Sequence, residues 1–138
     1  MDLGELRRRV VEARVARLGT LEATGRVHLV PICFALDGDT LYTAVDRKPK
    51  RSRELRRLGN IRANPDVCLL VDRYEEDWSE LWWVRLRGRA RVLEDGPDRE
   101  RAVRLLREKY EQYRDDPLDG AVIAIELDEW RGWSPVAC

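Results

Sequence analysis

Between Leu81 and Leu93 the side chains alternate almost without a break. Trp82, Val84, Leu86, Gly88, Ala90 and Val92 share one face, and Trp83, Arg85, Arg87, Arg89 and Arg91 share the other. Successive side chains of a strand point to opposite sides, so a period of two specifies a half-buried antiparallel strand. Gly88 interrupts the apolar face and predicts a bend or bulge. Trp82 and Trp83 are neighbours, so they point in opposite directions and cannot both fill the same core.

Other stretches extend this sheet. Val15 to Leu21, Thr40 to Val45, Val67 to Val71 and Ala121 to Leu127 read as strands. Val27 to Leu36 is apolar on both faces, with Val27, Leu29, Cys33 and Ala35 on one and Val30, Ile32, Phe34 and Leu36 on the other. Such a strand needs cover on both sides. One cover is a barrel interior; a partner subunit or a ligand is the other. Ala23-Thr24-Gly25-Arg26 and Asp37-Gly38-Asp39 are turn signals. Helices are predicted over Asp2–Ala13, Glu54–Ala63 and the stretch after Pro97, the last with Ala102, Leu106, Tyr110 and Tyr113 as its stripe. About six strands and three helices, joined mostly by hairpin-like links, specify a small antiparallel barrel with helices packed on it.

The chain has 138 residues, one domain's worth spanning 1–138, with no internal repeat or linker. It carries 26 basic and 26 acidic residues. A dedicated nucleic-acid binder is usually strongly basic, so that class is disfavoured. No apolar run approaches the length of a membrane span. Cys33, Cys68 and Cys138 are far apart and fit neither a disulfide framework nor a zinc site, so a reducing cytoplasm is the expected location. His28 is the sole histidine, which leaves no material for a histidine metal site and places no catalytic triad elsewhere; no metal is expected.

The most informative loop is basic. Arg47, Lys48, Lys50 and Arg51 lie between a strand end and a helix start, and two of the chain's three lysines are here. Ser52 suits a helix N-cap. Free N–H groups at a helix start attract phosphate, and Arg forks with Lys point charges would complete a clamp. A solvated basic surface loop is the competing reading. Arg85, Arg87, Arg89 and Arg91 divide in the same way: paired with neighbouring carboxylates for most of the four, or with one or two reaching a ligand's anionic tail. Whichever of Trp82 and Trp83 points outward meets solvent, a partner chain, a flat ring or a covering helix. Trp78 stands in a loop as a candidate rim or lid. Trp130 and Trp133 suit a cap on the barrel end.

The "HLVP" strand, the "K-x-K-R" loop before a helix ending in "NP", and the "RGRARVLED" strand together resemble the flavin- and deazaflavin-binding split-barrel superfamily related to pyridoxamine 5′-phosphate oxidase. The resemblance covers nearly the whole chain and is strongest to small members assigned to F420-dependent chemistry. It implies a mainly β, six-stranded antiparallel Greek-key split barrel that forms a homodimer, with cofactor at the subunit interface. It implies a phosphate held by Lys48, Lys50 and Arg51 with Ser52 at the helix start. A tricyclic ring would run along Thr43, Ala44 and Val45, touched by Pro31 and Ile32 and closed by Trp78, Trp82 or Trp83 of the facing subunit. The implied function is an F420-dependent oxidoreductase acting on a small molecule. The alternatives are an FMN-binding oxidase or reductase of the same fold, or a non-catalytic carrier. No acid–base cluster is legible, as expected where the cofactor supplies the reactive atom. The substrate and the catalytic residues are not legible.

Overall fold

The computed structural model describes residues 1–45 and 51–135, with residues 51–55 described by backbone alone. Helix α1 (Leu3–Glu12) is capped by Asp2, whose carboxylate accepts from the Glu5 N–H at 2.9 Å. Strands β1 (Ala16–Leu21), β2 (Val27–Ile32), β3 (Ala35–Asp37) and β4 (Thr40–Ala44) follow, then helix α2 (Arg51–Ala63). Strand β5 (Asp66–Arg73), β6 (Trp82–Leu93), helix α3 (Pro97–Lys109) and β7 (Val122–Trp133) complete the chain. Single turns of 3-10 helix lie at Trp78–Glu80 and Glu111–Tyr113.

All pairings are antiparallel, in the order β2-β1-β5-β6-β7-β4-β3. The two outermost strands, β2 and β3, are joined through only Cys33 and Phe34. Opposite margins of one sheet can be that close only if the sheet curls on itself, so this is a split barrel. The strand expected over Val27–Leu36 is therefore two strands with a bend between them, and the sheet has 7 strands rather than six. The bend also explains why Ala35 is buried while Val27 and Leu29 are not.

The longest seam joins β6 to β7, and its register shifts at Arg87/Gly88. Gly88 faces Leu127 and Arg87 faces Glu129, so β7 carries the extra residue, Asp128. A Cβ on Gly88 would lie 2.2 Å from the Glu126 carbonyl oxygen, so only glycine fits. The bulge expected from the sequence is present, carried by the partner strand.

Inside the barrel, Leu18, Phe34, Leu41, Leu69, Val71, Val84, Leu86, Ile123 and Ile125 are fully buried. Burying each such side chain contributes about 1.5–3 kcal/mol. Leu6 and Val10 seat α1 on this core, while Leu3 of the same apolar stripe is exposed. Leu58 and Ile61 seat α2, and the buried Asn60 amide donates to the Thr20 hydroxyl at 3.2 Å. Ala102, Val103 and Leu106 fix α3 against β3 and β4. No described helix is long and apolar enough to cross a membrane.

Candidate functional site

The Cys33–Phe34 bend is held by side chains from two other elements. Thr43 Oγ1 donates to the Cys33 carbonyl at 2.7 Å. The Phe34 N–H donates to the Tyr110 hydroxyl at 3.0 Å. That hydroxyl's proton is shared between the carbonyls of Arg14 at 2.8 Å and Phe34 at 3.1 Å. A bend breaks the strand ladder, and these bonds satisfy the backbone groups it frees. Tyr110, expected only as part of an apolar stripe, thus has a polar role; its spacing gave no sign of this.

The bend gathers the first set of candidate residues. Pro31 and Ile32 lead into it, and Thr43, Ala44 and Val45 lie across from it. Pro31 is exposed, paired in register with Arg17 of β1. Ile32, Thr43 and Val45 are buried in the barrel, and Ala44 is half-buried. Thr43's hydroxyl is committed to Cys33, and the Val45 N–H donates to the Ala121 carbonyl at 2.9 Å. The side chains of Ile32, Thr43 and Val45 therefore build the wall from behind. Lys48 and Lys50 lie outside the described residues. Arg51 and Ser52 are the first two residues of α2, so Ser52 falls inside its first turn, and their side chains lie outside the description.

The outer face of the sheet holds the second set. Val27 and Leu29 are 69% and 66% exposed. They flank Gly19, from which a Cβ would meet Leu29 Cδ1 at 3.7 Å and Val27 Cγ1 at 4.0 Å, so the strip is flat and apolar. The described residues do not supply the second cover that the doubly apolar stretch calls for.

Trp82 and Trp83 do point to opposite faces. Trp82 packs half-buried on the main core beneath the Arg9 guanidinium, 5.1 Å from its ring centroid. Trp130 packs on the same core with Arg7 at 4.8 Å. Trp83 lies outside, opposite Trp133 in register. Trp133 is 45% exposed, so of the two expected caps only Trp130 lies against the core. Trp78 is 67% exposed and its indole donates to the Tyr74 hydroxyl at 3.4 Å. A hollow of about 400 Å³ opens here, walled by residues including Leu70, Tyr74, Trp83 and Trp133, with Asp72, Arg85 and Arg73 as its charged members, the last paired with Glu75 at 3.1 Å. Pro31 and Trp83 stand apart on this face, with β1 and β5 between their strands, so one chain does not bring them together.

The arginine face of β6 separates its members. Arg87 reaches Glu129 at 3.4 Å, Arg89 reaches Asp66 at 3.3 Å, and Arg91 reaches Asp98 at 3.2 Å. Arg85 has no carboxylate partner among the described residues, and its Nε is buried without a hydrogen bond. On α3, Lys109 Nζ sits 3.8 Å from the Phe34 ring centroid, also buried without a hydrogen bond. Burial, reinforced by the Arg14 guanidinium, lowers its ammonium to about 8.

Three solved structures share this architecture. A candidate 5-nitroimidazole antibiotic resistance protein from Bacteroides thetaiotaomicron matches with a TM-score of 0.77 at 17% identity, over 95% of this chain and 82% of its own. A conserved hypothetical protein from Mycobacterium tuberculosis matches with a TM-score of 0.77 at 19% identity, over 97% and 85%. HutZ, a heme storage protein from Vibrio cholerae, matches with a TM-score of 0.71 at 14% identity, over 96% and 93%. At such identities the likeness shows the fold alone. No curated protein matches the chain. The sequence profile of pyridoxamine 5′-phosphate oxidase runs along residues 3–134, from α1 past the end of β7, and the chain belongs to that family.

Proposed function

We propose that the protein binds a phosphorylated flavin-type cofactor where two copies of the chain meet, F420 in preference to FMN, and uses it to move hydride to a small organic molecule. The bare strip of Val27, Leu29 and Pro31 carries this reading. It is apolar, flat and exposed, and it lies on β2, which among the described residues pairs only with β1 and leaves its other edge open. Free edges and large exposed apolar residues call for a partner surface. The family includes folds that bind flavins such as FMN.

The chain's residues fit such a group. The strip offers an apolar wall for a ring, and the start of α2 comes soon after β4 ends; a helix's first turn has N–H groups without intrahelical partners, which suit a phosphate. Lys48, Lys50 and Arg51, by their place in the sequence, are assigned to the phosphate. Trp78 and Trp83 are assigned to closure from the facing protomer. The preference for F420 rests on arginine, because its glutamate tail needs cations beyond the phosphate clamp. Arg17, which stands beside Pro31 in register, is ion-paired with Asp72 at 3.1 Å and would have to exchange that partner for the tail. Bound cofactor would supply the hydride chemistry. The chain's part is to hold, orient and dry the ring.

A carrier is the second reading. Ile32, Thr43 and Val45 turn their side chains inward and Thr43 is spent on Cys33, so these residues assemble no acid or base against a ring.

Titrating the purified protein with F420 and with FMN, followed by tryptophan fluorescence, tests the cofactor. Micromolar quenching by F420 alone supports the first choice, and quenching by FMN alone replaces it. No response to either overturns the reading. Turnover of reduced cofactor with a panel of acceptors separates enzyme from carrier.

A further inference from the structure

We propose that the hollow at the start of β6 binds a flat aromatic acid, with Arg85 as the anchor for its carboxylate. At about 400 Å³ the hollow is the size of a small-molecule site. Its walls are the rings of Tyr74, Trp83 and Trp133 and the side chain of Leu70, which suit a planar apolar body.

The charge in the hollow selects the rest of the ligand. Arg85 differs from Arg87, Arg89 and Arg91, each of which has a carboxylate within reach. Its direct register partners are Leu70 on one side and Arg131 on the other, and neither is an anion. The carboxylate lining the same hollow, Asp72, already accepts from Arg17 at 3.1 Å. Glu129 lies within ion-pair range of Arg87 at 3.4 Å and Arg131 at 3.8 Å, although its Oε2 is buried without a hydrogen bond. A half-buried guanidinium with a desolvated, unbonded Nε is unfavourable unless something completes it. Its planar fork matches a carboxylate through two parallel hydrogen bonds. The Arg85 guanidinium also lies 5.9 Å from the Trp83 ring centroid, so a ring resting near Trp83 brings its acid group toward the fork.

The residues described around the hollow belong to one chain, so the test is made without added cofactor. The occupant's identity as the hydride acceptor rests on the cofactor reading; its binding does not.

The test uses 2-naphthoate and 2-naphthamide, which share a ring and differ in charge, titrated calorimetrically into the full chain without added flavin. Wild-type protein is expected to bind 2-naphthoate at least tenfold more tightly than the amide. Arg85→Gln should abolish that preference while leaving amide binding unchanged. Arg87→Gln, which removes an ion-paired neighbour on the same face, should retain the preference. Equal binding of both compounds by wild type overturns the proposal without recourse to any variant. So does absence of heat with 2-naphthoate to millimolar concentration, or an undiminished preference in Arg85→Gln. The flavin titrations are separate, so either reading can fail alone.

Discussion

The Tyr110 hydroxyl stands where Phe34 would otherwise leave its backbone unbonded. The Phe34 N–H donates to it at 3.0 Å, and the hydroxyl lies 2.8 Å from the Arg14 carbonyl. One phenol therefore ties the end of α3 to the bend that turns β2 into β3 and to the segment entering β1. Tyr110→Phe keeps the ring, whose residue is 5% exposed, and removes only the hydroxyl. The freed N–H of Phe34 is then buried without a partner, at a cost of about 1–3 kcal/mol. A urea midpoint unchanged from wild type would show that the bend holds itself.

Gly88 makes a second stability prediction, with a built-in contrast. A Cβ there overlaps the Glu126 carbonyl oxygen at 2.2 Å, and that atom is backbone within the longest strand pair. Gly88→Ala should cost roughly 3 kcal/mol or more, or prevent folding. Gly59, in the middle of α2, has nothing within 4 Å of the same position. Gly59→Ala should raise the melting temperature, by about 0.5–1 kcal/mol in stability. The two substitutions are chemically identical, so thermal unfolding of the pair tests the local geometry.

Much of this was legible in the residues, for reasons that also mark the limit. The period of two in Trp82–Val92 survives because one face of β6 is in the barrel and the other in water, and Gly88 is glycine because a bulged partner presses on it. Val27–Leu36 read as one strand because its apolar pattern is continuous. The break at Cys33–Phe34 comes from contacts with Thr43 and Tyr110, which are distant in sequence. The candidate site was less legible. Position along a strand gives the neighbourhood of Ile32 and Thr43, but tertiary packing decides that they face inward. Likewise no spacing rule says which of Arg85, Arg87, Arg89 and Arg91 lacks a carboxylate. That depends on the registers with β5 and β7.

Lys109 should make stability depend on alkaline pH. Its ammonium is lowered from 10.5 to about 8 by burial and by Arg14. The unfolded chain therefore binds the extra proton between these two values and the folded chain does not. Stability contributed by this group rises with pH from about 8 to 10.5, and the full penalty of burying the charge is present below that window. Lys109→Met keeps the apolar stem over Phe34 and removes the charge. Burial raises Tyr110 above 10.0, which acts in the opposite direction at the top of the range, so the comparison is wild type against variant. The variant's advantage should be largest near pH 7 and shrink toward pH 10. A difference in denaturation midpoint that is flat with pH would remove Lys109 from the balance.

The apolar strip on β2 gives a prediction about assembly. Leu29 is 66% exposed in the single chain, so replacing it should alter folding stability by no more than about 0.5 kcal/mol. In a dimer seated on this strip, Leu29→Arg places a charge in each copy's interface, and the dimer should dissociate at least tenfold more readily. Sedimentation equilibrium of wild type and variant, with circular dichroism to show that both fold, reads the two effects separately. A monomeric wild type, or a variant that associates as well as wild type, would mean that this strip is not where copies meet.

The basic loop carries the last prediction. If Lys50 and Arg51 hold the cofactor's phosphate, each supplies a charge-assisted hydrogen bond. The double variant Lys50→Ala, Arg51→Ala should then weaken cofactor binding by about 2 kcal/mol or more, close to thirtyfold. The loss should be specific to the phosphate. Riboflavin, which has the ring of FMN without the phosphate, should bind wild type and variant alike, however weakly. Rising salt should erode wild-type affinity for the phosphorylated cofactor more steeply than the variant's, because exposed cation–phosphate attraction is screened. An affinity for F420 and FMN that survives the double substitution would place the phosphate elsewhere on the protein and return this loop to solvent.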